Sequence, residues 1–98
     1  MAFNTGAALL DALVLSTAER EPTYGYRITQ QVRQIMMVSE STLYPVLRRL
    51  QKEGHLETYD QEFAGRNRRY YQITDAGRRQ LAALNGFAAL HHLAAYGT

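Results

Sequence analysis

The stretch Ser39–Tyr59, SESTLYPVLRRLQKEGHLETY, decides the fold, and it contains an apparent contradiction. Four of its apolar residues recur at helical spacing: Leu43, Val46, Leu47 and Leu50. Gly54 follows them at the position where helices commonly end in a left-handed backbone. Pro45 lies inside the same run, although helix interiors normally exclude proline. The pattern predicts a helix over residues 39–53 that tolerates a proline.

The proline is tolerable because of the side of the helix on which it lies. At about 100° per residue the apolar residues share one face, and Pro45 falls opposite them with Ser41 and Arg48. The hydrogen bond that Pro45 gives up would go to the carbonyl of Ser41, where water can replace it. If Thr42 is instead the effective cap, Pro45 is the third helical residue and gives up nothing. Either way the outer face carries small and hydroxylated residues first and cations later.

Two further helices are predicted before this one. The first runs from about Thr5 to Ala18, with Asn4 or Thr5 as its cap. It is apolar around most of its circumference, so it must be covered on nearly all sides, which in a chain of 98 residues indicates a partner subunit. The second helix follows a break at Pro22 and takes Thr23 as its cap. Its apolar residues follow the i, i+4, i+7, i+8 rule: Ile28, Val32, Ile35 and Met36.

After Gly54 the pattern changes from helical to extended. The runs LETYDQEF and RRYYQI, rich in aromatic and β-branched residues, flank Ala64-Gly65-Arg66-Asn67 and predict a hairpin. Thr74 then caps a final helix over residues 74–96. The expected class is therefore mainly α with a β-hairpin, in the order helix, helix, helix, hairpin, helix. This is the order of a winged helix-turn-helix, in which the third helix enters the major groove and the hairpin touches the backbone.

Length and composition place further bounds on the molecule. Ninety-eight residues form a single domain over 1–98, with the winged helix-turn-helix part at 5–73, its hairpin wing at 56–73 and a dimerisation helix at 74–96. The chain has no cysteine, its apolar start lacks the basic flank of a signal peptide, and no apolar run is long enough to span a membrane. We expect a cytoplasmic protein without a membrane partner.

Positive charge is concentrated in two blocks, although the net charge is only +2. Residues 27–55 carry five basic and two acidic groups, a balance of +3, and residues 66–79 carry five arginines and one aspartate, a balance of +4. Residues 56–65 between them carry −3. The basic blocks coincide with the predicted third helix and the end of the hairpin, which favours binding to double-stranded DNA.

The residue types divide between reading bases and holding phosphates. Ser41, Thr42 and Arg48 are candidates for base edges, because arginine can bridge guanine O6 and N7 and hydroxyls can pair with several bases. Pro45 leaves a flat surface where the helix would approach a base. The candidates for phosphates and the wing tip are Arg49, Lys52, Arg66, Asn67, Arg68 and the hydroxyl of Tyr44. Packing of Tyr44 against the second helix is the alternative for that residue.

The chain resembles the PadR family of transcriptional regulators. The matching strings are TYGYRI at Thr23–Ile28, STLYPVLRRLQKEGHL at Ser41–Leu56, GRNRRYYQIT at Gly65–Thr74 and DAGRRQL at Asp75–Leu81. The resemblance implies a homodimeric DNA-binding regulator, usually a repressor, whose first and last helices form the dimer interface. Some members of the family bind phenolic acids or flat lipophilic drugs between the subunits and then release DNA.

Residues on the first and last helices are the candidates for the dimer interface: Leu9, Leu10, Leu13, Leu84, Phe87, Ala88 and Leu90. The chain departs from the drug-binding members in having no tryptophan, and Phe87 is the only large aromatic residue in the middle of the last helix. Phe87 therefore fits dimer core better than a ligand platform. A small lipophilic or aromatic effector stays an expectation from the resemblance, and no cofactor is expected.

Two other classes of function fit the sequence less well. An enzyme or metal site is not expected, because His91 and His92 are adjacent and point about 100° apart, and no paired carboxylates or glycine-rich phosphate loop occur. The stronger rivals are a winged helix that binds another protein and a constitutive DNA-organising protein without an effector. A protein-binding winged helix should show an apolar patch on the third helix or wing, where this chain has hydroxyls and arginines.

Overall fold

A computed structural model describes the backbone of residues 5–96 and the side chains of residues 6–85. Seven elements follow one another: α1 (Thr5–Arg20), β1 (Thr23–Tyr24), α2 (Gly25–Arg33), α3 (Glu40–Lys52), β2 (Leu56–Phe63), β3 (Arg66–Ile73) and α4 (Asp75–Tyr96). The predicted order of four helices with a hairpin before the last is confirmed, and the arrangement is that of a winged helix-turn-helix. Among the described residues, no helix is long and apolar enough to cross a membrane.

The core lies between α1 and the elements packed around it, which are α4, α2, α3 and β3. Its most deeply buried apolar side chains come from four elements: Val14, Leu15, Ile28, Val32, Leu43, Leu47, Leu50 and Leu56. Leu43, Leu47 and Leu50 share one face of α3, as their spacing predicts. Burial of this face fixes the rotation of α3 and turns its polar face outward.

The second helix begins differently from the prediction. Thr23, predicted as its cap, belongs instead to β1, where it lies 3% exposed and opposite Tyr71 of β3. The N-cap of α2 is Tyr24, whose side chain makes no capping hydrogen bond. The prediction of Thr23 as a cap is wrong because β3 has an edge opposite β2, and Thr23–Tyr24 pair with that edge to make a three-stranded sheet in the order β1-β3-β2.

The second helix also ends earlier than its apolar spacing predicts. It stops at Arg33, and the next residues form a turn in which the amides of Ile35 and Met36 donate to the carbonyl of Val32. Met36 packs against the core, but Ile35 is 70% exposed. The prediction that Ile35 lies on the buried face is therefore wrong, because the chain has left the helical path at that point.

The third helix resolves the question of Pro45. Its N-cap is Ser39, whose hydroxyl accepts a hydrogen bond from the amide of Thr42 at 3.3 Å. Because the helix begins at Glu40, Pro45 is its sixth residue, and the alternative in which Thr42 is the cap is wrong. Both Pro45 and Ser41 are exposed, so water can satisfy the carbonyl that the proline leaves unpaired. Gly54, with φ of +82°, follows the helix as predicted.

The hairpin turn has two residues and not four. Ala64 and Gly65 have φ of 53° and 79°, the two left-handed residues that a type I′ turn requires. Arg66 and Asn67, predicted within the turn, are the first residues of β3, where Arg66 pairs with Phe63 of β2. The side chains of β3 therefore alternate between the two faces of the sheet from Arg66 onward.

Thr74 ties the last helix to the third. Its hydroxyl accepts from the amide of Gly77 at 2.9 Å, which confirms the predicted cap, and donates to the carbonyl of Gly54 at 2.6 Å. A Cβ atom added to Gly77 would lie 2.1 Å from the carbonyl oxygen of His55, so only glycine allows this approach. The start of α4 is thus held against the end of α3, which fixes the direction of α4 relative to the polar face of α3.

Candidate nucleic-acid interface

The outer face of α3 carries hydroxyls near its start and cations near its end. Ser41, Thr42, Pro45, Arg48 and Lys52 are all exposed. The hydroxyl of Ser39 lies 2.9 Å from that of Ser41 and 3.1 Å from that of Thr42, so the helix start presents a connected group of hydroxyls. Hydroxyls can donate or accept a hydrogen bond, so they can pair with both the acceptor and the donor groups on base edges.

Arg49 is held by the protein itself. Its Nη2 donates to Oδ1 of Asp11 on α1 at 2.5 Å, and its Nη1 donates to Oε1 of Glu53 at 2.9 Å. The Asp11 side chain is only 14% exposed, whereas that of Arg49 is 45% exposed. The guanidinium of Arg49, predicted to contact a phosphate, therefore already links α3 to α1 through an ion pair.

The two partners of this ion pair respond to burial differently. Burial raises the pKa of the Asp11 carboxyl by more than the hydrogen bond and charge of Arg49 lower it. Burial lowers the pKa of Arg49, but the hydrogen bond and negative charge of Asp11, joined by Glu53, outweigh it and leave the pKa of Arg49 raised. Arg49 thus stays charged, while ionised Asp11 is less stable than it would be in water.

The arginines at the start of β3 have three different surroundings. Arg66 is exposed beside the turn, as is its neighbour Asn67. The guanidinium carbon of Arg68 lies 4.4 Å from the ring centroid of Tyr24 and 4.9 Å from that of Phe63, within the range of cation–π attraction. Arg69 is exposed, and its Nε lies 3.6 Å from Oδ1 of Asp60. Only Arg69 of these three thus faces a carboxylate at ion-pair distance among the described side chains.

Tyr44 packs against the second helix. A Cβ atom added to Gly25 would lie 3.1 Å from Cε1 of Tyr44 and 3.7 Å from its hydroxyl, so the ring rests on the start of α2. Tyr44 is partly buried against the core, as expected if it packs against the second helix. Its ring nevertheless also lines an open cleft, so packing leaves part of the side chain accessible.

The cleft has a volume of about 380 Å³ and lies where α2, α3 and β3 meet. It is lined by Tyr24, Gly25, Tyr26, Tyr44, Arg68, Arg69 and Tyr71. Sequence reasoning missed Tyr24, Tyr26 and Arg69 as candidates. The repeated tyrosine of the TYGY string and the strand alternation of RNRRYY were the signals that could have found them.

A row of aromatic rings lies behind Arg68 on one face of the sheet. The rings of Tyr59 and Tyr70 stack with centroids 5.5 Å apart and planes within 10°, and Tyr24 meets Tyr70 edge-on at 5.8 Å. These rings belong to three different strands. They therefore join β1, β3 and β2 on the side of the sheet that carries Arg68.

The predicted interface residues of α1 and α4 occupy different environments. Within one chain Leu10 and Leu84 are buried, Leu13 is partly buried and Leu9 is 40% exposed. The side chains of Phe87, Ala88 and Leu90, and those of His91 and His92, lie outside the described residues. Among those that are described, no group of three or more histidine, aspartate or glutamate residues is arranged to hold a metal ion.

Comparison with known proteins identifies the fold and its relatives. The model of the transcriptional regulator PadR-like family matches residues 14–83. Transcriptional regulator Rv3488 of Mycobacterium tuberculosis (strain ATCC 25618 / H37Rv) is 39% identical over 69 residues, which are 69% of this chain and 64% of that protein. The crystal structure of smu.1704 from Streptococcus mutans UA159 is 38% identical, with a TM-score of 0.90 over 99% of this chain and 92% of that one.

One similar structure was solved with DNA. Bacillus subtilis PadR in complex with operator DNA is 24% identical to this chain, with a TM-score of 0.68 over 76% of this chain and 44% of that chain. The likeness extends the shared fold to a protein whose structure includes its operator.

Proposed function

The chain belongs to the PadR-like family of transcriptional regulators, and from that premise we propose that it is a homodimeric repressor that binds a specific double-stranded DNA site. The recognition helix 39–53 enters the major groove, and the wing 63–69 lies on the backbone beside it. Proteins of this family are regulators of transcription and not enzymes, as the sequence predicts.

The observation that carries the proposal is the exposed face of α3. Ser41, Thr42 and Arg48 are exposed on a helix whose opposite face is buried, so they can approach base edges. Pro45 lies between them, and its short side chain leaves a flat helix surface that can approach a base closely. Tyr44, Lys52, Arg66, Asn67 and Arg68 then hold the phosphates on either side, while Arg49 supports α3 from α1 and contacts a phosphate only with what its carboxylate partners leave free.

The homodimer is supported by apolar surface that one chain leaves open. Leu9 on α1 and Ile35 after α2 are both exposed, and Leu13 is only partly buried. In the dimer Leu9 and Leu13 face the partner together with Phe87, Ala88 and Leu90 of the last helix. Leu10 and Leu84, which are buried within each chain, support that interface from behind. Two recognition helices then address half-sites about 34 Å apart, one turn of DNA, or a multiple of it.

Release of DNA by a small lipophilic or aromatic effector completes the proposed mechanism. Such a ligand would bind between the subunits, as in some members of the family. It would lower the affinity for the operator because it binds more tightly to a conformation that releases DNA than to the conformation that binds DNA. As a regulator of transcription the protein would work in the cytoplasm. Loss of operator binding on addition of a simple phenolic acid, measured at constant salt, tests this part.

The main proposal is tested by selecting binding sites from a pool of random duplexes and measuring binding by fluorescence anisotropy. We expect tight binding to the selected duplex, weaker binding to a scrambled one, and a log-log salt slope of about −0.9 per phosphate contacted. Arg66→Ala should reduce that slope by about one unit per subunit. Arg79→Ala, which removes the same charge from α4, is the matched control.

Other outcomes favour the rival functions. Equal binding to both duplexes would indicate a DNA-organising protein. Absence of binding at low salt would favour a winged helix that contacts another protein. A salt slope unaltered by Arg66→Ala would exclude the wing tip from the interface.

A further inference from the structure

The cleft between α2, α3 and β3 joins parts of the interface that the fold otherwise keeps separate. Tyr24 and Tyr26 come from β1 and the start of α2, Tyr44 comes from the recognition helix, and Arg68 and Arg69 come from the wing. A group bound in the cleft would therefore contact the recognition helix and the wing at once.

The lining of the cleft suits a phosphate oxygen. It combines two guanidinium groups with phenol side chains, and none of its seven lining residues is acidic. Guanidinium groups form short, charge-assisted hydrogen bonds to phosphate, and phenols add neutral donors. Asp60 approaches Arg69 at 3.6 Å from outside this set of lining residues, a distance too long for a hydrogen bond.

The open shape of the cleft favours a phosphate of DNA over a small free ligand. Sites for small molecules usually enclose most of the ligand surface. This cleft is open to solvent, which suits one group of a larger ligand that continues beyond it. Tyr44 of α3 lines the cleft, so the cleft adjoins the recognition helix.

Arg68 is held in position before any ligand arrives. Its guanidinium lies between the rings of Tyr24 and Phe63, and Tyr24 is itself packed edge-on against Tyr70. Stacking restrains the long side chain but leaves its hydrogen-bond donors and its charge available, unlike pairing with a carboxylate. Less conformational freedom is then lost when Arg68 binds.

We infer that this cleft binds one phosphate of the DNA backbone in each half-site, with Arg68, Arg69 and the Tyr44 hydroxyl as its ligands and Tyr24 as the residue that positions Arg68. The inference rests on the proposed function, because it assigns a particular DNA group to a particular place on the same interface. It adds Tyr24 and Arg69 to the residues that determine affinity.

Single neutral linkages in the DNA test the inference. A series of duplexes from the selected site would each carry one methylphosphonate, which removes the charge of one phosphate. For the wild-type protein we expect one position per half-site at which this change weakens binding about tenfold. In Arg69→Ala and in Tyr44→Phe the same linkage should weaken binding by less than about threefold, because the cleft has already lost a ligand.

The role of Tyr24 has its own pair of variants. Tyr24→Phe keeps the ring under Arg68 and should retain the full methylphosphonate penalty, whereas Tyr24→Leu removes the ring and should reduce the penalty. Arg79→Ala controls for loss of charge, and thermal unfolding controls for folding. If Tyr24→Leu does not fold, the comparison of Tyr44→Phe with wild type still decides whether the cleft holds the phosphate.

The failures of the two proposals are distinguishable. Suppose that wild type prefers the selected duplex, but that each variant shows the same methylphosphonate penalty as wild type at every linkage. The cleft then does not hold a phosphate, and the proposal of a DNA-binding regulator is unaffected. Binding of inorganic phosphate or a phenolic acid that is lost in Arg69→Ala, without any linkage-specific effect, would make the cleft a small-ligand site and overturn the inference. Absence of preference for the selected duplex would contradict the proposed function itself.

Discussion

Two consecutive arginines lie on α3 and two more lie on β3. The helix and the strand direct the side chains of each pair differently. On the helix Arg48 and Arg49 are about 100° apart, so Arg48 faces outward while Arg49 reaches Asp11 on α1. On the strand Arg68 and Arg69 leave the backbone on opposite faces, and Arg68 stacks on rings while Arg69 approaches Asp60, yet both line the same cleft. In each pair one arginine faces a carboxylate and the other keeps its charge available.

The strength of restraint also differs between the two pairs. Arg49 donates two hydrogen bonds to carboxylates, one of them on a side chain that is nearly buried, so it is a structural residue of the helix bundle. Among the described side chains Arg69 faces one carboxylate, at 3.6 Å, and both side chains are more than half exposed, so that pairing is weak. Both arginines of the strand pair therefore remain available to a ligand in the cleft, whereas the helix pair offers chiefly Arg48.

The comparison is tested most strongly by Arg48→Ala. A bidentate arginine–guanine contact contributes about 1–3 kcal/mol of discrimination, so specific binding should weaken about 5- to 150-fold and base preference should flatten at one position of each half-site. Selection of sites with the variant, beside anisotropy on the original duplex, measures both effects. Equal weakening on all sequences would mean that Arg48 holds a phosphate and does not read a base.

The second test is Arg49→Ala, which should act on stability before it acts on DNA. Removing one partner of a buried ion pair costs about 3–5 kcal/mol, but Arg49 is 45% exposed, so we expect a loss of roughly 1–2 kcal/mol in the free energy of unfolding. Urea denaturation measures the loss, with Arg78→Ala, from the exposed pair with Asp75, as control. Undiminished stability together with lost DNA affinity would place Arg49 among the phosphate ligands.

The sequence predicted those features that depend on neighbours in the chain. The cap at Thr74, the glycine after α3 and the buried face of Leu43, Leu47 and Leu50 are all local patterns, and the structure confirms them. The outward face of α3, with Ser41 and Arg48, follows from the same periodicity.

What the sequence missed depends on distant contacts. The partner of Arg49 lies 38 residues away on α1, and no spacing within α3 indicates it. Thr23 has the residue type of a helix cap, but its backbone pairs with the free edge of β3 instead. Because β3 lies far along the chain, the residues around Thr23 do not indicate this pairing. The cleft was missed for the same reason, because its lining comes from four separate elements.

Asp60→Asn would sharpen the contrast between the two arginine pairs. It removes a carboxylate from beside Arg69 and a negative charge from the wing, so operator binding should strengthen about two- to fivefold at low salt and less at high salt. Asp75→Asn is the matched control, since it makes the same change of charge beside Arg78 on α4. An equal gain in both variants would show that only net charge matters, and no gain in either would mean that Asp60 does not restrain Arg69.

The smallest expected effect is that of Asp11→Asn. Because burial raises the pKa of Asp11 above its ordinary value of 3.8, the contribution of this carboxyl to stability is fully present below that value and is lost as the pH rises through the raised pKa. At neutral pH the variant should therefore lose much less stability than Arg49→Ala, on the order of a few tenths of a kcal/mol, because it removes a desolvated charge along with an ion pair.

The measurement is the difference in unfolding free energy between wild type and Asp11→Asn, followed by urea denaturation from neutral pH down to about pH 3. As the pH falls through the range just above 3.8, wild type should gain stability relative to the variant. If wild type instead loses stability relative to the variant over that range, the attraction of Arg49 exceeds the cost of burying Asp11. Arg49 would then be bound still more firmly to α1, and the helix pair would differ from the strand pair more sharply.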